Sequence, residues 1–297
     1  MRIGLFLGDQ PFGSDDPSGF IEIAQAAEEA GFDAVWMGDH PVRPASNASV
    51  YPYSATGKPV QHTEDSLFDP IVTLAYLAEA TSTVRLGTAI YILPLRHPLI
   101  TARQVVTLDR VSHGRVLFGV GVGWLEEEFA ALDVPFDSRG RQMDEAIRIL
   151  RRLWTEDVVA SDSEIYPFDP VTVRPRPVQS PHPPILVGGH SPTAIRRAAR
   201  LGDGWIPVAP ELEELTRMLE ALDRALEQEG RNRDSFVVDA RTPTLPTRGD
   251  LSQYEELGLD GVRIHGSDLA GLPLHECSVE AVVSGLKRWS DRVLQRT

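Results

Sequence analysis

The feature that most constrains this chain is an alternation that recurs eight times: a short apolar run, turn residues, then a stretch with helical apolar spacing. Apolar runs at 3–7, 34–37, 84–90, 115–122, 184–187, 204–208, 236–240 and 261–265 read as strands. Between them lie helical stretches. The first carries Phe20, Ile21, Ile23, Ala24 and Ala27, is preceded by Asp16-Pro17 and ends at Gly31. Others cover 71–80, 98 to about 111, 194–201, 211–228 and 252–257; one after Arg139 carries Met143, Ile147, Leu150 and Trp154. A last helix presents Val279, Val282, Val283, Leu286, Trp289 and Val293. Eight strand–helix units exceed an easy doubly wound sheet and suit a closed α/β barrel, a (β/α)8 TIM barrel with insertions. A single domain over 1–297 is expected.

Two connections are longer than usual. The stretch 41–68 leaves the C-terminal end of strand two, where barrel enzymes build their sites, and reads as a lid. The proline-rich stretch 155–183 starts at the opposite end and reads as a packing hairpin.

Composition removes several partners. A net charge of −14 argues against nucleic acid or an anionic membrane. The single cysteine, Cys277, excludes an intrachain disulfide and a CxxC metal site, and fits a reducing cytoplasm. The N-terminal apolar run is too short for a signal peptide, and nothing approaches the roughly 20 apolar residues of a membrane span.

Chemistry concentrates at strand ends. Strand four runs into Gly119-Val120-Gly121-Val122-Gly123-Trp124, where alternation puts the three glycines on one face. Such a face either admits a flat ring against the backbone or relieves crowding in the barrel centre. After strand five, Gly188-Gly189-His190-Ser191-Pro192 opens a helix with Ser191 as N-cap and Pro192 at the first position. That loop suits a phosphate, or is simply a tight turn. Gly38-Asp39-His40 after strand two offers a carboxylate beside an imidazole, a pair able to move protons near neutral pH. Arg96 could meet an anion or bridge carboxylates, and His97 reads as a helix-entry residue. His40, His190 and His265 each follow a strand, but without HExxH no metal site is expected. No Gly-x-Ser-x-Gly elbow supports a serine nucleophile.

Three stretches, 27–40, 85–124 and 183–205, together resemble the luciferase-like monooxygenase superfamily and, within it, the oxidoreductases that use the deazaflavin coenzyme F420. The likeness implies that Asp39 and His40 lie beside the deazaflavin ring, with His40 a proton donor or acceptor. It implies that Thr88, Ala89 and Ile90 form a bulge behind the ring, with a non-prolyl cis peptide expected at Ala89–Ile90. It also implies that Gly121, Val122 and Gly123 make the cofactor wall, and that Gly188, Gly189, His190 and Ser191 hold the phosphate end. Sugar-phosphate dehydrogenases of the superfamily carry a catalytic glutamate where this chain has Trp124, and Glu126, Glu127 and Glu128 do not stand at that place. Trp124 is therefore expected to line a flatter or more apolar substrate.

The leading expectation is hydride transfer between F420 and a small organic molecule, by a homodimer. The second is an FMN-dependent monooxygenase supplied with reduced flavin by a separate reductase. The third is a non-catalytic cofactor-binding barrel.

Overall fold

The computed structural model describes residues 1–7, 16–46, 48–53, 57, 68–208, 211–273 and 276–294. In chain order the strands are β1 (Arg2–Phe6), β2 (Ala34–Met37), β3 (Arg85–Thr88), β4 (Tyr91–Ile92), β5 (Val116–Gly121), β6 (Val159–Ser161), β7 (Phe168–Val171), β8 (Ile185–Gly188), β9 (Gly204–Ile206), β10 (Val237–Arg241) and β11 (Gly261–His265). The helices are α1 (Ser18–Glu29), α2 (Pro70–Ala80), α3 (Pro98–Val111), α4 (Glu126–Ala131), α5 (Arg139–Thr155), α6 (Pro192–Leu201), α7 (Leu212–Gln228), α8 (Arg248–Glu256), α9 (Gly266–Ala270) and α10 (Val279–Val293).

Parallel pairing runs β1-β2-β3-β5-β8-β9-β10-β11, and β11 returns to β1 in register from Arg2 against Gly261 to Phe6 against His265. The sheet is therefore a closed eight-stranded barrel, as the alternation predicts. Its outward side chains, among them Leu5, Val35, Phe118, Val187, Val238 and Ile264, pack against the helices in one large core. A smaller inner core holds Phe6, Trp36, Leu117, Leu186 and Ile206. Trp36 fills the barrel axis because its neighbours on β1 and β3 are glycines. A Cβ on Gly4 would lie 2.4 Å from the Trp36 indole, and one on Gly87 2.2 Å from it.

Arg115 ties the bottom of the barrel together. It donates to the Ala78 carbonyl (2.7 Å) at the end of α2 and to the Val84 carbonyl (2.9 Å) before β3. Helix ends leave such carbonyls unsatisfied, and a guanidinium is a natural partner for them. In the connection 155–183, β6 and β7 pair antiparallel as the expected hairpin.

Three expectations need correction. Strand three does not run through 84–90: it stops at Thr88 and resumes as β4. The helix expected over 252–257 starts earlier, at Arg248, because Thr247 and Asp250 form a reciprocal capping box. The short helix α9 follows β11 directly, and α4 follows β5 after a short turn, where no helix was expected.

Candidate active site at the barrel mouth

The interruption between β3 and β4 shapes the mouth. Gly87 pairs with Leu117 and Tyr91 with Val120, so the first strand spends one residue more than the second. The extra residue is a bulge at Thr88, Ala89 and Ile90, and the Ala89–Ile90 peptide is cis. Thr88 Oγ1 anchors it by donating to the Gly119 carbonyl at 2.7 Å.

Asp39 holds the far side of this bulge. Its Oδ2 accepts the Ile92 amide at 2.8 Å and an Arg96 nitrogen, while Oδ1 accepts the other Arg96 nitrogen at 2.9 Å. Arg96 also lies 4.3 Å over the Tyr91 ring and 3.7 Å from Asp69. Asp39 is only 4% exposed, with both carboxylate oxygens engaged. His97 caps α3, accepting the Leu99 amide at 3.2 Å.

The strand-four glycines divide into two kinds. Gly119 and Gly121 continue the inner face, where a Cβ on the first would lie 1.9 Å from the Thr88 carbonyl oxygen. A Cβ on the second would lie 2.5 Å from the Ile90 side chain. Gly123 leaves that face: it turns with φ +79° against Ile92 and Phe129, a conformation that favours glycine. The surface is thus not bare. The missing side chains make room for the bulge.

His40 faces this region from β2. Its Nδ1 lies 3.2 Å from Oε2 of Glu128, in α4. Glu128 is fully buried, and its other oxygen has no partner. An ionised carboxylate only accepts, so the proton between them belongs on Nδ1, leaving Nε2 as the exchanging nitrogen. The sequence reading missed Glu128. The adjacent Glu127 does a different job: its carboxylate accepts the Ala48 amide and the Ser49 hydroxyl (2.7 Å), docking part of the expected lid on the start of α4. These bonds, the Ala48 amide first, pull its pKa down to about 2. Above them the rings of His40 and Trp124 (6.2 Å), Trp124 and Tyr51 (5.2 Å), Tyr51 and Tyr53 (5.4 Å), and Tyr53 and His190 (4.7 Å) form a chain across the mouth. Val122, after β5, is half-buried.

Beyond β8 the loop follows its capping chemistry. Ser191 accepts the Ala194 amide at 3.1 Å, with Pro192 at the first helical position of α6. Gly189 has φ +115° and a carbonyl that accepts the Trp205 indole at 2.8 Å. Nε2 of His190 accepts the Val208 amide at 2.8 Å, and burial lowers its pKa, so the ring is neutral and braces the loop. Among the described residues no group of three His, Cys, Asp or Glu could hold a metal ion. Among them, too, no helix is long and apolar enough to cross a membrane.

Residues 1–250 match the family model for the luciferase-like monooxygenases. The chain belongs to that family. An F420-dependent glucose-6-phosphate dehydrogenase of Kineococcus radiotolerans is 32% identical over 221 residues, which cover 72% of this chain and 60% of the relative. The luciferase-like barrel also superposes on the F420-dependent tetrahydromethanopterin reductase of Methanopyrus kandleri, with TM-score 0.75 and 16% identity over 99% of this chain and 98% of that one. The monooxygenase RslO1 of Streptomyces bottropensis gives TM-score 0.77 and 20% identity over 99% of both chains. This luciferase-like protein is an oxidoreductase.

Proposed function

We propose that the chain is an F420-dependent oxidoreductase whose mouth transfers a hydride between the deazaflavin and a small organic substrate. The observation that carries this reading is the pairing of His40 with a buried Glu128 at the strand ends. It is the arrangement of an imidazole held for proton transfer, with a second carboxylate oxygen left unpartnered beside it.

The residues present fit the cofactor. Gly188, Gly189, His190 and Ser191 would hold its phosphate end at the positive terminus of α6. Thr88, Ala89, Ile90, Gly121, Val122 and Gly123 would border its ring, which when bound supplies or accepts the hydride. His40 gives or takes the substrate proton at Nε2, and Glu128 keeps the imidazole oriented through Nδ1. Asp39 acts one step removed: with both oxygens engaged, it fixes the bulge through Ile92 and Arg96. Trp124 and the tyrosines Tyr51 and Tyr53 supply an aromatic wall that suits a flat or apolar substrate better than a sugar phosphate.

The fold shared with a monooxygenase favours a second reading, an FMN-dependent enzyme fed by a separate reductase. Titration of the protein with F420 and with FMN, followed by cofactor fluorescence, separates the two. Saturable F420 binding with weak FMN binding is expected; tight FMN binding without an F420 response reverses the assignment.

A further inference from the structure

We propose that Arg241, His265 and Asp268 form a second recognition point at the mouth, taking from the substrate a neutral amide-type edge, a carbonyl beside an N–H. The inference rests on the mouth being the active site.

The residues sit on adjoining barrel strands. Arg241 ends β10 opposite Arg263 on β11, and His265 follows Arg263 on the same inward face, opposite Phe6 of β1. Asp268 lies in α9, immediately after β11. One layer deeper, Arg263 and Asp239 form an ion pair. Arg263 Nε is 2.9 Å from Asp239 Oδ1, and its Nη2 donates to the carbonyls of Pro207 (2.9 Å) and Asp239 (3.1 Å).

Arg241 Nε, His265 Nδ1 and Asp268 Oδ2 are all buried, and none has a hydrogen-bond partner. His265 is only 4% exposed and stacks on Phe6 at 4.6 Å. Buried polar atoms are nearly always paired in folded proteins, because leaving one unmade is expensive. Three together, donor and acceptor among them, at the open end of a barrel mark a place completed by a ligand.

Charge balance selects the ligand class. Arg263 is neutralised by Asp239, and Asp268 lies close enough to Arg241 for their charges to interact. Burial, with the two arginines adding to it, holds the His265 pKa well below the usual histidine range, so this ring carries no charge. A carboxylate ligand would meet Asp268 as a like charge. A carboxamide or lactam offers its oxygen to Arg241 and its N–H to Asp268, and His265 can serve either.

The test is binding of benzamide, benzoate and benzyl alcohol to the F420-loaded protein, read as dissociation constants by ligand-observed NMR, with F420 affinity read separately by fluorescence. Benzamide is expected to bind tightest, and Arg241→Met and Asp268→Ala each to weaken it about tenfold, as loss of one charged hydrogen bond does. F420 affinity is expected to stay unchanged in both variants. If one variant fails to fold, the other and the wild-type ranking still decide. Benzoate binding tighter than benzamide, or benzamide affinity indifferent to both substitutions, overturns the proposal. A wild type that does not bind F420 overturns the cofactor reading instead, and the benzamide ranking on the cofactor-free protein then decides this one.

Discussion

Nδ1 of His40 lies 3.2 Å from Oε2 of Glu128, across 88 residues of sequence. The histidine comes from the end of β2 and the glutamate from α4, which follows the glycine turn after β5. Neither element could position the pair alone. The turn at Gly123, with its positive φ, brings α4 back over the mouth so that the third of three successive glutamates is buried beside the imidazole.

Replacing Glu128 with Gln keeps the shape and removes the charge. Without the carboxylate the imidazole loses the acceptor that fixes its orientation at Nδ1. Turnover should drop by roughly 10- to 100-fold, a modest share of what a general acid–base group contributes. F420 affinity should not change. Undiminished turnover in Glu128→Gln would show that Glu128 does not act through His40.

Arg96 and Asp39 form a buried pair with side chains 17% and 1% exposed. Arg96→Met leaves the Asp39 carboxylate buried with no cation beside it, and should cost about 3–5 kcal/mol in urea unfolding, the usual loss on breaking such a pair from one side. The double variant with Asp39→Asn should recover part of that loss. Equal unfolding midpoints for Arg96→Met and wild type would refute the pairing.

The Glu127 latch has a definite pH sign. Its folded pKa, about 2, lies below the ordinary 4.5, so the interaction is present above about pH 4.5 and is lost as the pH falls through about 2. Trp124 reports on it, because Tyr51 packs against the indole at 5.2 Å. Trp124 emission, read in a protein whose other tryptophans are replaced by Phe, should stay constant down to about pH 4. Ser49→Ala and Glu127→Gln should each show the released emission already at neutral pH.

Two glycine substitutions should diverge. A Cβ at Gly119 meets backbone, the Thr88 carbonyl at 1.9 Å, so Gly119→Ala should lower stability by about 3 kcal/mol or more. A Cβ at Gly121 meets the flexible end of Ile90, so Gly121→Ala should cost only about 1 kcal/mol while weakening F420 binding. Urea unfolding and fluorescence titration of both variants check this, and similar costs at the two positions would contradict the contacts described.

The barrel was legible because each strand carries an apolar run and the helix entries carry local chemistry. Pro98, Ser191 and Pro192 signal their helices within a few residues, and the structure uses them as the sequence suggests. The bulge site was legible only through resemblance. Residues 84–90 keep a strand-like pattern across the break, since the displacement is decided by pairing with β5 rather than by local preference. Glu128 was hidden for a similar reason. Three glutamates at a helix start read as a solvated first turn, and nothing local separates the one that latches Ser49 from the one that turns inward to His40. The Thr247–Asp250 box was written in the sequence, as a threonine followed three residues later by an aspartate, and was overlooked.

The most direct test of the proton relay compares wild type with His40→Ala in two measurements on the same preparations: F420 affinity by fluorescence, and F420-linked turnover across a substrate panel. The expected result is unchanged affinity with turnover reduced by about 10²- to 10⁴-fold, the range for a lost general acid–base group. Undiminished turnover in His40→Ala would contradict it.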